Sequence, residues 1–141
     1  MDSPEITKLL PHPLPAQIQA RLLLFAIRRM AIGGLDDAQA AHAFVTRFGL
    51  GFRRPLILLR ATMAELSRVA QRRLALAPCC CGRTTQDEAA LLSAFTTALP
   101  DARQAHDGLA RTLAVQNCLG ALTSMQAVAA AFEDLGSPLA R

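Results

Sequence analysis

PLILLRATMAELSRVA, residues 55–70, carries its apolar side chains at Leu56, Leu59, Met63, Leu66 and Ala70, spaced alternately by three and four. That spacing places them on one face of an α-helix. Arg60, Arg68 and Arg72 fall at multiples of four on the other face. Pro55 opens this helix, because a proline at the first helical position lacks only an N–H that would go unpaired there. A strand would alternate with period two instead, so this stretch argues for helices packed on helices.

The rest of the chain agrees with that reading. Of 141 residues, 52% are hydrophobic, enough for a core, yet there are only six Phe and no Trp or Tyr. A core made mostly of Leu, Ala, Ile and Val suits close helix packing better than a sheet, which favours β-branched and aromatic residues. Working outward, Gly49-Leu50-Gly51 is a turn. Before it, Asp36 caps a helix through Ala40, Phe44 and Phe48. A first helix runs from Pro15 through Ile18, Leu22, Phe25 and Ile27 to Met30, where Gly33-Gly34 stop it. Thr85 with Glu88 three residues on is a capping box for a helix through Leu91, Leu92 and Phe95. Asp101 caps a last helical stretch with the stripe Val115, Cys118, Leu122, Met125, Ala129 and Phe132, in which Gly108 or Gly120 can mark a break. The expected fold is all-α, a compact bundle of about five helices with short loops. Residues 1–14 form an extended Pro-rich leader, since Pro11, Pro13 and Pro15 forbid a helix interior, and residues 15–141 form a single helical domain.

Charge and hydropathy narrow the function classes. Residues 1–83 hold Lys8 and eleven Arg against five acids, and residues 84–141 hold three Arg against six acids. Attraction between the two halves within one domain explains this asymmetry without a ligand. Thr112 to Phe132 is uncharged and long enough to span a bilayer. Its Gln116, Asn117, Thr123, Ser124 and Gln126 gather opposite the apolar stripe, however, and amides are costly in hydrocarbon. The chain reads as cytoplasmic, with no membrane partner.

Cys79-Cys80-Cys81, between Pro78 and Gly82, is the one motif with unusual chemistry. Just before a helix start and next to Arg83, its thiols are expected to be acidic. One reading is soft-metal binding of zinc or copper, for which the only further donors are Cys118, His42, His106 and His12, none at the paired spacing of zinc sites. A second is redox sensing, one thiol attacking and another resolving. A third, the favoured one, is structural, with small cysteines filling a tight loop. A phosphatase loop is excluded, because the residue six before Arg83 is Ala77. Arg53, Arg54 and Arg83 are anion-binding candidates at helix starts. Arg60, Arg68 and Arg72 form a basic stripe of the kind that meets nucleic acid, and solvated arginines explain it better. His42 and His106 pair with no nucleophile, and His106 and its neighbour Asp107 are expected to point apart. No cofactor is expected.

Arg21-Leu-Leu-Leu-Phe-Ala26, Gly51-Phe-Arg-Arg-Pro-Leu56 and Ala77-Pro-Cys-Cys-Cys81 resemble a family of short alphaproteobacterial proteins of unknown function, over most of the chain from His12 onward. The resemblance implies a cytoplasmic bacterial setting and no activity. Two functions remain open. The leading one is a non-enzymatic helical interaction or regulatory domain, with a protein partner or a second copy. The alternative is a thiol-based metal-binding or redox-sensing protein built on Cys79, Cys80 and Cys81.

Overall fold

The computed structural model describes residues 9–139. Of the expected leader, residues 1–8 lie outside that range, as do residues 140–141. Helices dominate the described residues. They are α1 (Ile18–Gly33), α2 (Ala38–Phe48), α3 (Arg53–Val69), α4 (Gln86–Thr97), α5 (Ala102–Leu113) and α6 (Leu119–Asp134), with a short 3-10 turn at Gly49–Gly51.

Six helices lie wholly within the described residues, not about five, because the stretch after Asp101 is two helices. Neither suspected glycine makes the break, since both Gly108 and Gly120 lie inside helices. It falls at Ala114, which turns left-handed at φ 59° while its N–H still caps the Ala110 and Arg111 carbonyls. Asn117 then accepts the Leu119 N–H through Oδ1 at 3.0 Å and starts α6. Cys118, expected in mid-stripe, sits instead at the start of α6 and is buried.

Three further corrections are local. α3 begins at Arg53, two residues before Pro55, which is its third residue rather than its first. The first helix begins at Ile18 rather than Pro15, and the Pro15 carbonyl accepts the Arg21 side chain at 2.6 Å. The cap of α2 is Asp37, not Asp36: its Oδ2 accepts the Ala40 N–H at 3.0 Å, whereas the Asp36 side chain is exposed. A Cβ on Gly33 would lie 2.2 Å from Asp37 Oδ1, so that glycine makes room for the capping carboxylate as well as ending α1. The Thr85–Glu88 capping box and the Asp101 cap form as expected.

The chain also contains a small sheet that helical periodicity does not foretell. β1 (His12–Pro13) pairs antiparallel with β2 (Arg83–Thr84), His12 opposite Thr84. Thr84 Oγ1 donates to the Pro13 carbonyl at 2.9 Å, and Arg83 Nε donates to the Leu10 carbonyl at 2.8 Å. Pro11, Pro13 and Pro15 keep this stretch out of a helix, and the Leu10 and Pro13 carbonyls find partners on the segment that follows the cysteines.

One core joins all six helices. Leu23 and Ile27 of α1, Phe44 of α2, Leu59 of α3, Leu91 and Phe95 of α4, Leu109 of α5, and Met125 and Phe132 of α6 are buried in a single cluster. α3 lies chiefly on α6, and α4 on α5. Phe44, Phe48 and Phe132 meet edge to face, with ring centroids 5.1–6.0 Å apart. Few aromatics are present, and half of them anchor this corner. No helix among the described residues is long and apolar enough to cross a membrane.

Candidate functional site

The three cysteines occupy a tight turn whose two ends are tied to the core. Cys81 N–H donates to the Pro78 carbonyl at 3.0 Å, closing a turn with Cys79 and Cys80 at its tip. Just before it, the Ala77 N–H donates to Glu88 Oε2 at 3.0 Å. After it, Arg28 donates to the Cys81 carbonyl at 2.9 Å and to the Arg83 carbonyl at 2.7 Å.

Arg28 and Glu88 form the anchor. Their side chains are 2% and 0% exposed and meet through two hydrogen bonds, Nε to Oε2 at 2.7 Å and Nη2 to Oε1 at 2.9 Å. Glu88 also accepts the Thr85 N–H, as the capping box requires. One carboxylate therefore starts α4, holds α1 through Arg28 and fixes the chain before the thiol turn. Burial pushes the Glu88 carboxyl up, but the hydrogen bonds from Arg28, Thr85 and Ala77 outweigh it and hold the group below the usual carboxylate range. Such a pair is tolerated in a core because each of its side-chain nitrogens and oxygens has a hydrogen-bond partner.

The cations that act on the thiols are Arg28 and Arg29 of α1, while the Arg83 side chain turns to the leader. Arg29 grips Asp37 with bonds of 3.1 and 2.8 Å, and its charge acts on Cys79. Cys79 Sγ lies 3.5 Å from Cys80 Sγ. The Cys79 thiol is drawn below the ordinary cysteine value, first by the hydrogen bond from Cys80 and then by Arg29. Cys80 is pushed up by the same bond and by the charge on Cys79. The expected helix-terminus effect has a weaker basis, since Thr85 and Glu88 already close that end of α4. A hollow of about 200 Å³ opens beside the turn, lined by the three cysteines with Arg21, Leu24, Phe25 and Arg28.

The other candidates are scattered. Among the described residues no three His, Cys, Asp or Glu side chains converge as metal ligands. Cys118 packs with His106 between α5 and α6, and His42 is exposed on α2. His106 does meet Asp107, Nδ1 to Oδ1 at 3.1 Å, against the expectation that they point apart. This is no Cys-His-Asp nucleophile. Nε2 of His106 accepts the Cys118 backbone N–H at 3.3 Å, while the thiol turns to the His106 carbonyl at 3.7 Å. Burial, and secondly Asp107, push that thiol up. Of the anion candidates, Arg53 lies 5.9 Å from the Phe52 ring centre, Arg54 pairs with Asp134 at 2.7 Å, and Arg83 is turned to the leader. The supposed nucleic-acid stripe is occupied. Arg60 donates to the Leu35 carbonyl and Arg68 pairs with Glu65. Arg72 lies beyond the end of α3 and binds Asp87 and the Thr112 carbonyl.

A second feature was not visible in the sequence. Between the end of α1, α3 and the segment after it runs an open groove of about 660 Å³. Met30, Met63, Leu66, Leu74, Leu76 and Leu91 line it, with Arg72 and Arg73 at one edge. Arg73 is exposed. Ile32 and Leu35, exposed by 67% and 37%, stand at the same end of α1.

A family model for a family of unknown function, DUF6628, matches residues 2–134. The chain belongs to that family. The match includes the leader, the thiol turn and all six helices. No curated protein and no solved structure matches the chain.

Proposed function

We infer that this DUF6628 chain is a non-enzymatic helical interaction domain whose groove receives an amphipathic helix with acidic flanks. The groove between α1 and α3 carries the reading. Its wall is apolar, and two of its side chains, Met30 and Met63, are flexible thioethers of the kind that adapt to a partner's side chains. Leucines at i, i+3, i+4 and i+7 of a helix suit such a surface. Arg72 is paired with Asp87, but exposed Arg73 leaves a cation on the lining, in the half of the chain with excess arginine, and carboxylates beside the leucine stripe complement it. The buried charges have structural work: Arg28, Glu88, Asp37 and Asp87 each hold a cap, a turn or an ion pair. The four cysteines are unpaired, which fits a reducing bacterial cytoplasm.

Methionine-methyl NMR tests this with two synthetic helical peptides sharing one leucine stripe, one flanked by Glu and the other by Lys. The Glu-flanked peptide should shift the Met30 and Met63 methyl signals and bind more weakly as salt rises. Met63→Glu should abolish the shifts with an unchanged far-UV spectrum. Unmoved methyl signals, or equal binding of both peptides, overturn the reading. So do shifts that track protein concentration alone, which assign the groove to a second copy.

A further inference from the structure

We propose that Cys79 and Cys80 are a peroxide-reactive dithiol, in which Cys79 Sγ attacks the hydroperoxide and Cys80 resolves the product to a vicinal disulfide. The site is independent of the groove and of its occupant. Three features of the fold support it. The sulfurs are already 3.5 Å apart. Their turn is clamped on both sides, through Ala77 N–H to Glu88 and the Cys81 carbonyl to Arg28, so the pair is presented in one arrangement. Cys80 is exposed and Cys79 half-buried beside a hollow large enough for a small peroxide. In keeping with that geometry, the charge of Arg29 favours a thiolate at Cys79 more than at Cys80.

That last asymmetry assigns the roles. The thiolate is the nucleophile, and the guanidinium together with the Cys80 S–H stabilises it at Cys79. Attack on the peroxide forms an S–O bond and breaks the O–O bond. The alcohol or water leaving group departs with a proton from solvent, leaving a sulfenic acid on Cys79. Cys80, as thiolate, then attacks the Cys79 sulfur. The S–S bond forms, the S–O bond breaks, and hydroxide leaves as water with the proton that Cys80 gave up. In sum, two thiols and one hydroperoxide give a disulfide, an alcohol (or water) and one water.

The geometry also sets the character of the product. Neighbouring Cα atoms are about 3.8 Å apart across a trans peptide. Ordinary disulfides join Cα atoms roughly 4.4–6.8 Å apart, and departures from that geometry make the bond easier to reduce. The Cys79–Cys80 disulfide is therefore strained and readily reversed by a thiol reductant, as suits a signal rather than a staple.

The test is titration with hydrogen peroxide, followed by thiol counting on the unfolded protein and by mass mapping of the tryptic peptide from Leu74 to Arg83. One equivalent should remove two of the four thiols, lower the mass by two hydrogens and place the bond between residues 79 and 80. Dithiothreitol should restore both thiols. Cys79→Ser should slow peroxide consumption roughly tenfold or more, since the remaining thiols are less nucleophilic. Cys80→Ser should leave a sulfenic acid at residue 79 that a 1,3-diketone traps. Cys81→Ser should change neither rate nor product, and it controls for folding of the turn. Reaction of Cys79→Ser at the wild-type rate overturns the proposal, as does a bond mapped to Cys81 or Cys118.

Discussion

Replacing Glu88 by Gln keeps the shape of the side chain and removes its charge, leaving Arg28 buried without a counterion. The wild-type carboxylate accepts four hydrogen bonds, two from Arg28 and one each from Thr85 and Ala77 N–H. Both side chains of the pair are at most 2% exposed, so water cannot replace the lost partner. Breaking a buried pair from one side costs about 3–5 kcal/mol. At about 2–8 °C per kcal/mol for domains of this general size, that lowers Tm by at least about 6 °C. Urea unfolding followed by far-UV dichroism should show a lower midpoint at unchanged slope, the mark of a stability change alone. The pH dependence carries the same signature. The folded carboxyl titrates below its unfolded value, so its contribution is complete above the unfolded pKa, about 4.3. It is lost as pH falls through the lower folded value. Wild type should therefore lose stability more steeply than Glu88→Gln below about pH 4.3. The double variant Arg28→Met/Glu88→Leu should recover much of the loss, because an apolar pair leaves no charge buried. A cost under about 1 kcal/mol for Glu88→Gln would refute this account, since that is the scale of a solvated surface pair.

Two further substitutions test the packing. Phe132→Ala removes the ring that meets both Phe44 and Phe48 at the α2–α6 corner, and it should cost about 3–5 kcal/mol in urea unfolding. Gly33→Ala would set a Cβ 2.2 Å from Asp37 Oδ1, so either the α2 cap or the Arg29–Asp37 pair must give way. It should lower Tm, whereas the same change at an open helical site would raise it.

The cost of Glu88→Gln follows from a contact that one half of the sequence announced and the other half concealed. Thr85-x-x-Glu88 is a local pattern, and the capping box forms where it was read. Its partner, Arg28, lies sixty positions away. The available sign was an arginine four residues after Leu24 and one after Ile27, on a stripe otherwise buried. A charge on the core face calls for a counterion, but periodicity cannot say which carboxylate answers. Arg29 was equally silent. Its charge acts on Cys79 only because α1 and the thiol turn are brought side by side, whereas sequence proximity pointed to Arg83.

What the sequence determined by itself was therefore whatever depends on neighbours within a few residues. The three-and-four spacing of residues 56–70, the stop at Gly33-Gly34, the caps at Thr85 and Asp101 and the closeness of two thiols are all set by local chain geometry. Where the last stretch breaks lay at the edge of that range. Ala114 is an unusual residue for a left-handed turn, and the burial of Leu113 and Cys118 on either side accompanies it. Tertiary structure alone decided that the leader pairs with the residues after the thiols, that Arg28 and Glu88 clamp the turn, and that α1 and α3 leave an apolar groove open. Each of these depends on which faces meet across long sequence separations. The core enforces that choice through volume and paired charge, and neither quantity belongs to any one segment.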